Sequence, residues 1–238
     1  MKTTQLYLED SYIKEMDATI LEVIPEGEKR WRVLLDKTVF YPMGGGQPTD
    51  QGVLTNNEWT GNVYQVMMKD GEVWHYMECP IEPIVGTQIH GVINWDRRFK
   101  NMRVHSAGHV VDFALYQLGY SPQQLVPTKG DHGKKPFILY TGTLGKDITK
   151  ELDEKSNELI QKGLVFTTKI VPFETLEKEA LYLQPGLPTN KSLRMLTLEG
   201  VGSVADGGTQ VKNTSEVGKI AIASCVEKEG ATIITYNV

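Results

Sequence analysis

Cysteine is scarce in this sequence. Cys79 and Cys225 are the two present among 238 residues, and they are far too distant for a CxxC pair. That excludes a disulfide framework and a cysteine zinc cluster, and two free thiols fit a reducing compartment. Long apolar runs are also missing: no stretch approaches the roughly 20 residues that a helix needs to span a bilayer. The opening MKTTQLYLEDS has no apolar h-region and does not read as a signal peptide. A soluble, cytoplasmic protein with no membrane partner is therefore expected. An excess of positive charge is the third absence. The formal net charge is −5, which excludes a general basic coat for DNA or RNA but leaves room for an enzyme with one local basic patch.

What remains is ordinary globular composition, 40% hydrophobic and 23% charged. The length allows one large domain or two modest ones with a self-sufficient core. Strands are expected at Arg30–Asp36, Asn62–Lys69, Glu72–Met77 and Thr87–Trp95, with Asp70-Gly71 as a hairpin turn between the second and third. No amphipathic helix precedes residue 96, so 1–95 reads as an all-β unit. From Arg97 to Leu118 the pattern becomes helical and apolar on most sides, the mark of a buried helix, and Gly119 closes it. A second helix runs from Asp147, read as N-cap, to about Lys162, with Glu151–Lys155 and Glu158–Lys162 as i,i+4 ion pairs. Strands follow at Val165–Val171, Ser192–Leu198, Lys219–Val226 and Ala231–Tyr236, so 96–238 reads as an α+β domain.

Four segments carry candidate chemistry. His105 and His109 stand at i and i+4 on the buried helix, which puts their Cβ atoms roughly 5–6 Å apart on one face. Two imidazoles so placed suit one metal ion. Ser106 occupies the position where a metalloprotease helix has its glutamate. An isolated pair of this kind is more often two hydrogen-bonded core histidines. The run FYPMGGGQPTDQG (40–52) is neither a Walker A loop nor a dinucleotide turn, since no Gly-Lys-Ser/Thr and no helix follow. Its glycines permit close approach by a ligand or by another backbone. In ADGGTQVKNT (205–214), Asp206 and Gln210 flank a Gly-Gly turn, by default a surface feature. Arg97, Arg98, Lys100 and Arg103 lead into His105. Cations at a helix start oppose the macrodipole, which favours a reason such as phosphate contact over a solvated face. Lys134 and Lys135 are possible additions to that patch.

In order and spacing, GGGQPTDQG, VINWDRRFKNMRVHSAGHVVDFAL and DGGTQVKNTSEVGKI resemble the segments of the AlaX family of free-standing alanyl-tRNA editing proteins. They are similar as well to the editing domain of alanyl-tRNA synthetase. The resemblance implies a β-barrel-like first domain and an α+β editing domain of the threonyl/alanyl-tRNA synthetase type. The implied activity is hydrolysis of the ester that joins serine, or sometimes glycine, to the terminal ribose of tRNA(Ala). The implied partner is thus tRNA(Ala) carrying a wrong amino acid.

The family holds zinc with two histidines, a cysteine and a last histidine. His105 and His109 match the first pair, whereas Asp206 and Gln210 stand at the other two positions. The expected cofactor is one divalent metal, zinc first, with Mn²⁺ or Fe²⁺ also suited to two imidazoles, a carboxylate and an amide; an empty site is the alternative. A metal would either activate water or anchor the aminoacyl group. Without one, His105 or His109 is left as a general base. Thr209 matches a threonine beside the substrate, and Gly45, Gly46 and Gln47 are the substrate contacts expected from the glycine run. Arg97, Arg98, Lys100 and Arg103 are the expected tRNA contacts. Two other functions stay open: a tRNA-binding protein that has lost catalysis, and an esterase for another substrate.

Overall fold

The structure, a computed structural model, describes residues 3–238. The chain forms two compact units, Met1–Asn101 and Met102–Val238. The first carries β1 (Thr4–Gln5), β2 (Glu15–Gly27), β3 (Arg30–Leu35), β4 (Lys37–Thr38), β5 (Gly52–Thr55), β6 (Thr60–Lys69), β7 (Glu72–Glu78) and β8 (Gln88–Ile93). Six of these close an antiparallel barrel in the order β2-β3-β7-β6-β5-β8, with β8 pairing back to β2. Side chains alternate along each strand, so Met16, Ala18 and Ile20 of β2 meet Val33 and Leu35 of β3 and Val73 and Met77 of β7 in one core. Asp70 and Gly71 turn the β6–β7 hairpin with φ of 53° and 77°, the left-handed pair that matches strand twist.

The strands expected in this unit are present, but β2, the longest, was not among them. Only its first half alternates cleanly. Irregular pairing between Ile20 and Glu22 and again between Pro25 and Gly27 interrupts the period, and a bulge of that kind shifts side chains to the opposite face.

Helix α1 (Trp95–Gln117) begins where the Asn94 side chain accepts from the Arg97 amide at 3.0 Å. The division between the units falls inside it. Its second-unit part buries Ala107, Val110, Val111, Phe113, Ala114 and Leu115 completely. After it come β9 (Pro127–Asp131), β10 (Phe137–Thr141), α2 (Thr149–Gln161), β11 (Phe166–Val171), α3 (Phe173–Glu179), β12 (Leu193–Leu198), β13 (Gly202–Ala205), β14 (Ala221–Lys228) and β15 (Ala231–Asn237). They form a four-stranded sheet, β14-β15-β10-β9, and a three-stranded one, β11-β12-β13. The architecture is α+β.

Two local expectations need correction. Asp147 is not the N-cap of α2; that position belongs to Ile148, and Asp147 accepts from the Thr149 amide at 2.9 Å from one residue earlier. Lys155 pairs with Glu158 at 2.5 Å instead of with Glu151, because Glu158 gathers both Lys155 and Lys162.

Candidate active site

Three chain segments of the second unit converge on one carboxylate. Helix α1 supplies His105 and His109. Strand β12 supplies Arg194, and Asp206 follows β13 directly, where its amide donates to the Arg194 carbonyl at 3.0 Å. Asp206 Oδ1 lies 3.4 Å from His105 Nε2 and 3.6 Å from His109 Nε2. The potential ligand atoms of these three residues lie within 4.8 Å of one another, and among the described residues they are the group able to hold a metal ion. The two rings are near parallel, 5.1 Å apart at an interplanar angle of 22°.

Around this group the two carboxylate oxygens are treated differently. Asp206 Oδ2 accepts from Gln210 Nε2 at 2.9 Å and faces Arg194 Nη1 at 3.5 Å. Oδ1 receives the Gly208 amide at 3.0 Å and is the oxygen turned to both imidazoles. Arg194 Nη1 also donates to the Gly208 carbonyl at 2.5 Å, which fixes the Gly207-Gly208 turn. Ser106 ties the helix to the same segment: its hydroxyl donates to Gln210 Oε1 at 2.5 Å and accepts from the Val211 amide at 3.0 Å.

Electrostatics set the protonation states. Burial is the main cause that pushes His105 down to about 4, with His109 and Arg194 acting in the same direction and Asp206 against it. His105 is therefore neutral at pH 7, the form that ligates a metal or accepts a proton. Burial by itself would raise the Asp206 carboxyl, yet His105, His109 and Arg194 together hold it well below the ordinary range.

A metal fits these residues by a specific sign. His109 Nε2 is buried and has no hydrogen-bond partner among the described residues, although it points at a carboxylate oxygen. Buried polar atoms are nearly always paired, so a bare imidazole nitrogen facing a carboxylate and a second neutral imidazole marks a place for a cation. Two nitrogens and one oxygen match the three-ligand sets of catalytic zinc sites, which keep a position open. Gln210 plays another part: its amide atoms engage Ser106 and Asp206, so it braces the carboxylate.

The other expected site residues are dispersed. Thr209 is fully buried beside Gly208. Gly45 and Gly46 have φ of 54° and 79° and form the tip of a small hairpin closed by paired backbone bonds between Gly44 and Gln47; Gln47 itself is buried. Of the basic cluster, Lys100 is exposed. Arg97 donates to the Thr49 carbonyl at 2.8 Å. Arg98 is completely buried: it pairs with Asp50 and donates to the carbonyls of Ser11 and Val39 at 2.8 and 2.5 Å. Arg103 donates to the Val217 carbonyl at 2.8 Å. Arg98 thus faces no phosphate, and its charge at the helix start is balanced by Asp50 of the glycine run.

Sequence reasoning overlooked Arg194 and His132. A lone arginine inside the apolar strand LRMLTL was the available signal for the first. His132 lies in the weak strand region PTKGDHG, where its being one of five histidines was the available signal.

Comparisons with known proteins agree in kind. The family model for class II (A) tRNA synthetases matches residues 7–97, ending before the histidines. Alanine–tRNA ligase of Halobacterium salinarum is 31% identical over 99% of this chain but 26% of its own length, so the chain spans about a quarter of that ligase. The alanyl-tRNA editing protein AlaX-L of Pyrococcus horikoshii is 31% identical over 94% of this chain and 55% of its own. AlaX-M of Saccharolobus solfataricus, an alanyl-tRNA editing protein, is 34% identical over 99% of both chains. With end-to-end likeness at that level, the chain belongs to the family of alanyl-tRNA editing proteins.

Proposed function

We propose that this protein is a trans-editing hydrolase that cleaves the ester between a wrong amino acid, serine or glycine, and the terminal ribose of tRNA(Ala). The proposed substrate places the reaction in the cytoplasm. One observation carries the reading: His105, His109 and Asp206 meet, and His109 Nε2, with no hydrogen-bond partner among the described residues, faces a fixed carboxylate oxygen across 3.6 Å. A divalent cation held by those three residues, zinc or else Mn²⁺ or Fe²⁺, would supply Lewis-acid chemistry to the ester or to water.

The chain's own groups define the rest. Asp206 enters as an anion, oriented by Gln210 and Arg194 through Oδ2. His105 enters neutral. Hydrolysis adds water to the acyl carbon, breaks the bond to the ribose oxygen and returns a proton to that oxygen. Thr209 stands next to the turn that bears on Asp206, and we assign it to the aminoacyl end. Lys100 and Arg97 are the tRNA-backbone contacts of this proposal; Arg98 and Arg103 serve the fold. The Gly45-Gly46 tip, exposed at Gly45 and half-buried at Gly46, with Gln47 holding its base, is the proposed contact of the first unit.

A second reading has its own support. Arg194 and Gln210 already satisfy Asp206 Oδ2, so the cluster is charge-balanced without a cation, as a tRNA-binding protein without catalysis would have it. Metal-stripped protein assayed on seryl-tRNA(Ala), with and without Zn²⁺ or Mn²⁺, separates the two. Turnover restored by metal supports the hydrolase. Salt-dependent tRNA binding with no turnover under any condition supports the second.

A further inference from the structure

His132 belongs to none of the segments considered so far, yet its ring lies flat against His105. The centroids are 4.3 Å apart and the planes differ by 18°. His132 is buried, and the space for it is made by two glycines from different elements. A Cβ at Gly108, on α1 between the paired histidines, would stand 2.7 Å from His132 Cε1; one at Gly130, on β9, would stand 2.8 Å from its Nε2. Either contact is below the distance that carbon and ring atoms tolerate, so a side chain at either position would displace the ring.

The ring is also held at its edge. Tyr236 Oη lies 2.6 Å from His132 Nδ1 and 3.1 Å from the Val104 carbonyl. A carbonyl only accepts, so the single hydroxyl proton goes to Val104 and Nδ1–H of His132 donates to Tyr236. One tautomer and one orientation are selected, and a flip of the ring would break its bond to Tyr236. His132 is not in the group whose potential ligand atoms lie within 4.8 Å of one another, and its Nδ1 is taken by Tyr236.

We propose that His132 is a positioning residue that fixes the ring plane of His105 for metal binding, itself locked by Tyr236 and by the bare surfaces of Gly108 and Gly130. The proposal rests on the reading of His105, His109 and Asp206 as a metal site. It follows from what outer residues do at such sites: they orient a ligand in advance, and their loss typically weakens metal affinity roughly 10–100-fold.

The test uses the full-length protein, stripped of metal, in wild-type, His132→Ala, His132→Phe and Gly108→Ala forms. Zn²⁺ affinity is read by competition with a chromogenic chelator, and ligand geometry by the visible absorption of the Co²⁺-loaded protein. We expect His132→Ala to weaken Zn²⁺ binding about 10–100-fold and to alter the Co²⁺ bands. His132→Phe, which keeps a flat ring for stacking, should recover most of the affinity. Gly108→Ala, which keeps His132 but displaces it, should reproduce the loss; it stands in if His132→Ala does not fold. Wild-type affinity and an unchanged Co²⁺ spectrum in His132→Ala, or in Gly108→Ala where it stands in, would overturn this inference while leaving the metal site intact. Failure of the wild type to bind either ion would instead overturn the metal site, and the inference with it.

Discussion

Two buried ionic clusters draw on side chains of α1, and they differ in completeness. At Arg98 every guanidinium nitrogen is bonded, to Asp50, Ser11 and Val39, and the atom left without a partner among the described residues is on the acid, Asp50 Oδ1. At His109 the ring nitrogen faces Asp206 Oδ1 across 3.6 Å and has no hydrogen-bond partner among the described residues. Asp112 lies between these extremes. Its Oδ2 receives the Tyr182 hydroxyl at 2.6 Å, whereas Oδ1 has no partner among the described residues. A guanidinium bonded at every nitrogen ties the fold together, whereas an imidazole nitrogen left open beside a carboxylate leaves room for a cation. The contrast fits an architectural arginine and, under the proposed function, ligand histidines, although the sequence presents both as polar groups on one helix.

The sharpest way to break this contrast is Arg98→Leu. It leaves Asp50 buried and uncompensated, and the expected loss is about 3–5 kcal/mol in urea unfolding. A loss below about 1 kcal/mol would remove the architectural assignment. His109→Ala should behave in the opposite way. Deacylation of seryl-tRNA(Ala) should fall at least ~100-fold, while unfolding free energy changes by no more than about 2 kcal/mol, since the nitrogen removed faces Asp206 Oδ1 only across 3.6 Å, beyond hydrogen-bond length. Equal damage to folding and activity would erase the distinction.

Asp112 tests the intermediate case through pH. Burial pushes its carboxyl up to about 6 from 3.8, with the Tyr182 hydrogen bond opposing. The folded state therefore holds this proton more tightly than the unfolded one. Its contribution to stability is complete below about pH 4 and is lost as pH rises to about 6. Asp112→Asn should remove that dependence, gaining on the wild type by something of order 3 kcal/mol between pH 4 and pH 7. Chemical denaturation at several pH values measures the gap; parallel curves for the two proteins would mean that the carboxyl is not penalised by burial.

The smallest effect compares two hairpin turns, one taken from each unit. Asp70-Gly71 uses a residue suited to positive φ, whereas Glu229 adopts φ 54° without that advantage. Glu229→Asn should stabilise by a few tenths of a kcal/mol, and the corresponding Asp70→Asn should change little. Thermal melts resolve the pair.

Elements with strong local signals were legible in the sequence: the Asp-Gly hairpin, the buried α1 and the amphipathic α2. Strands β9 and β13 were not, because PTKGD and GSVA carry little intrinsic strand preference and exist through pairing with β10 and β12. The i,i+4 spacing placed His105 and His109 on one face. Whether Asp206 reached them depended on a turn nearly a hundred residues later, fixed by Arg194 through the Gly208 carbonyl. The basic cluster shows the opposite limit. Four neighbouring cations looked alike, yet Arg98 is fully buried and Lys100 exposed, a difference made by Asp50 from a distant loop.

The aspartate at position 206 has a consequence for durability. Every potential donor in the cluster is nitrogen or carboxylate oxygen, and Cys79 and Cys225 are not among them. Peroxide converts thiolates through sulfenic to sulfinic acid, but it finds no sulfur here. Under the proposed function, a metal held this way would keep its ligands through an oxidation that removes thiolate ligands, and editing would persist under peroxide.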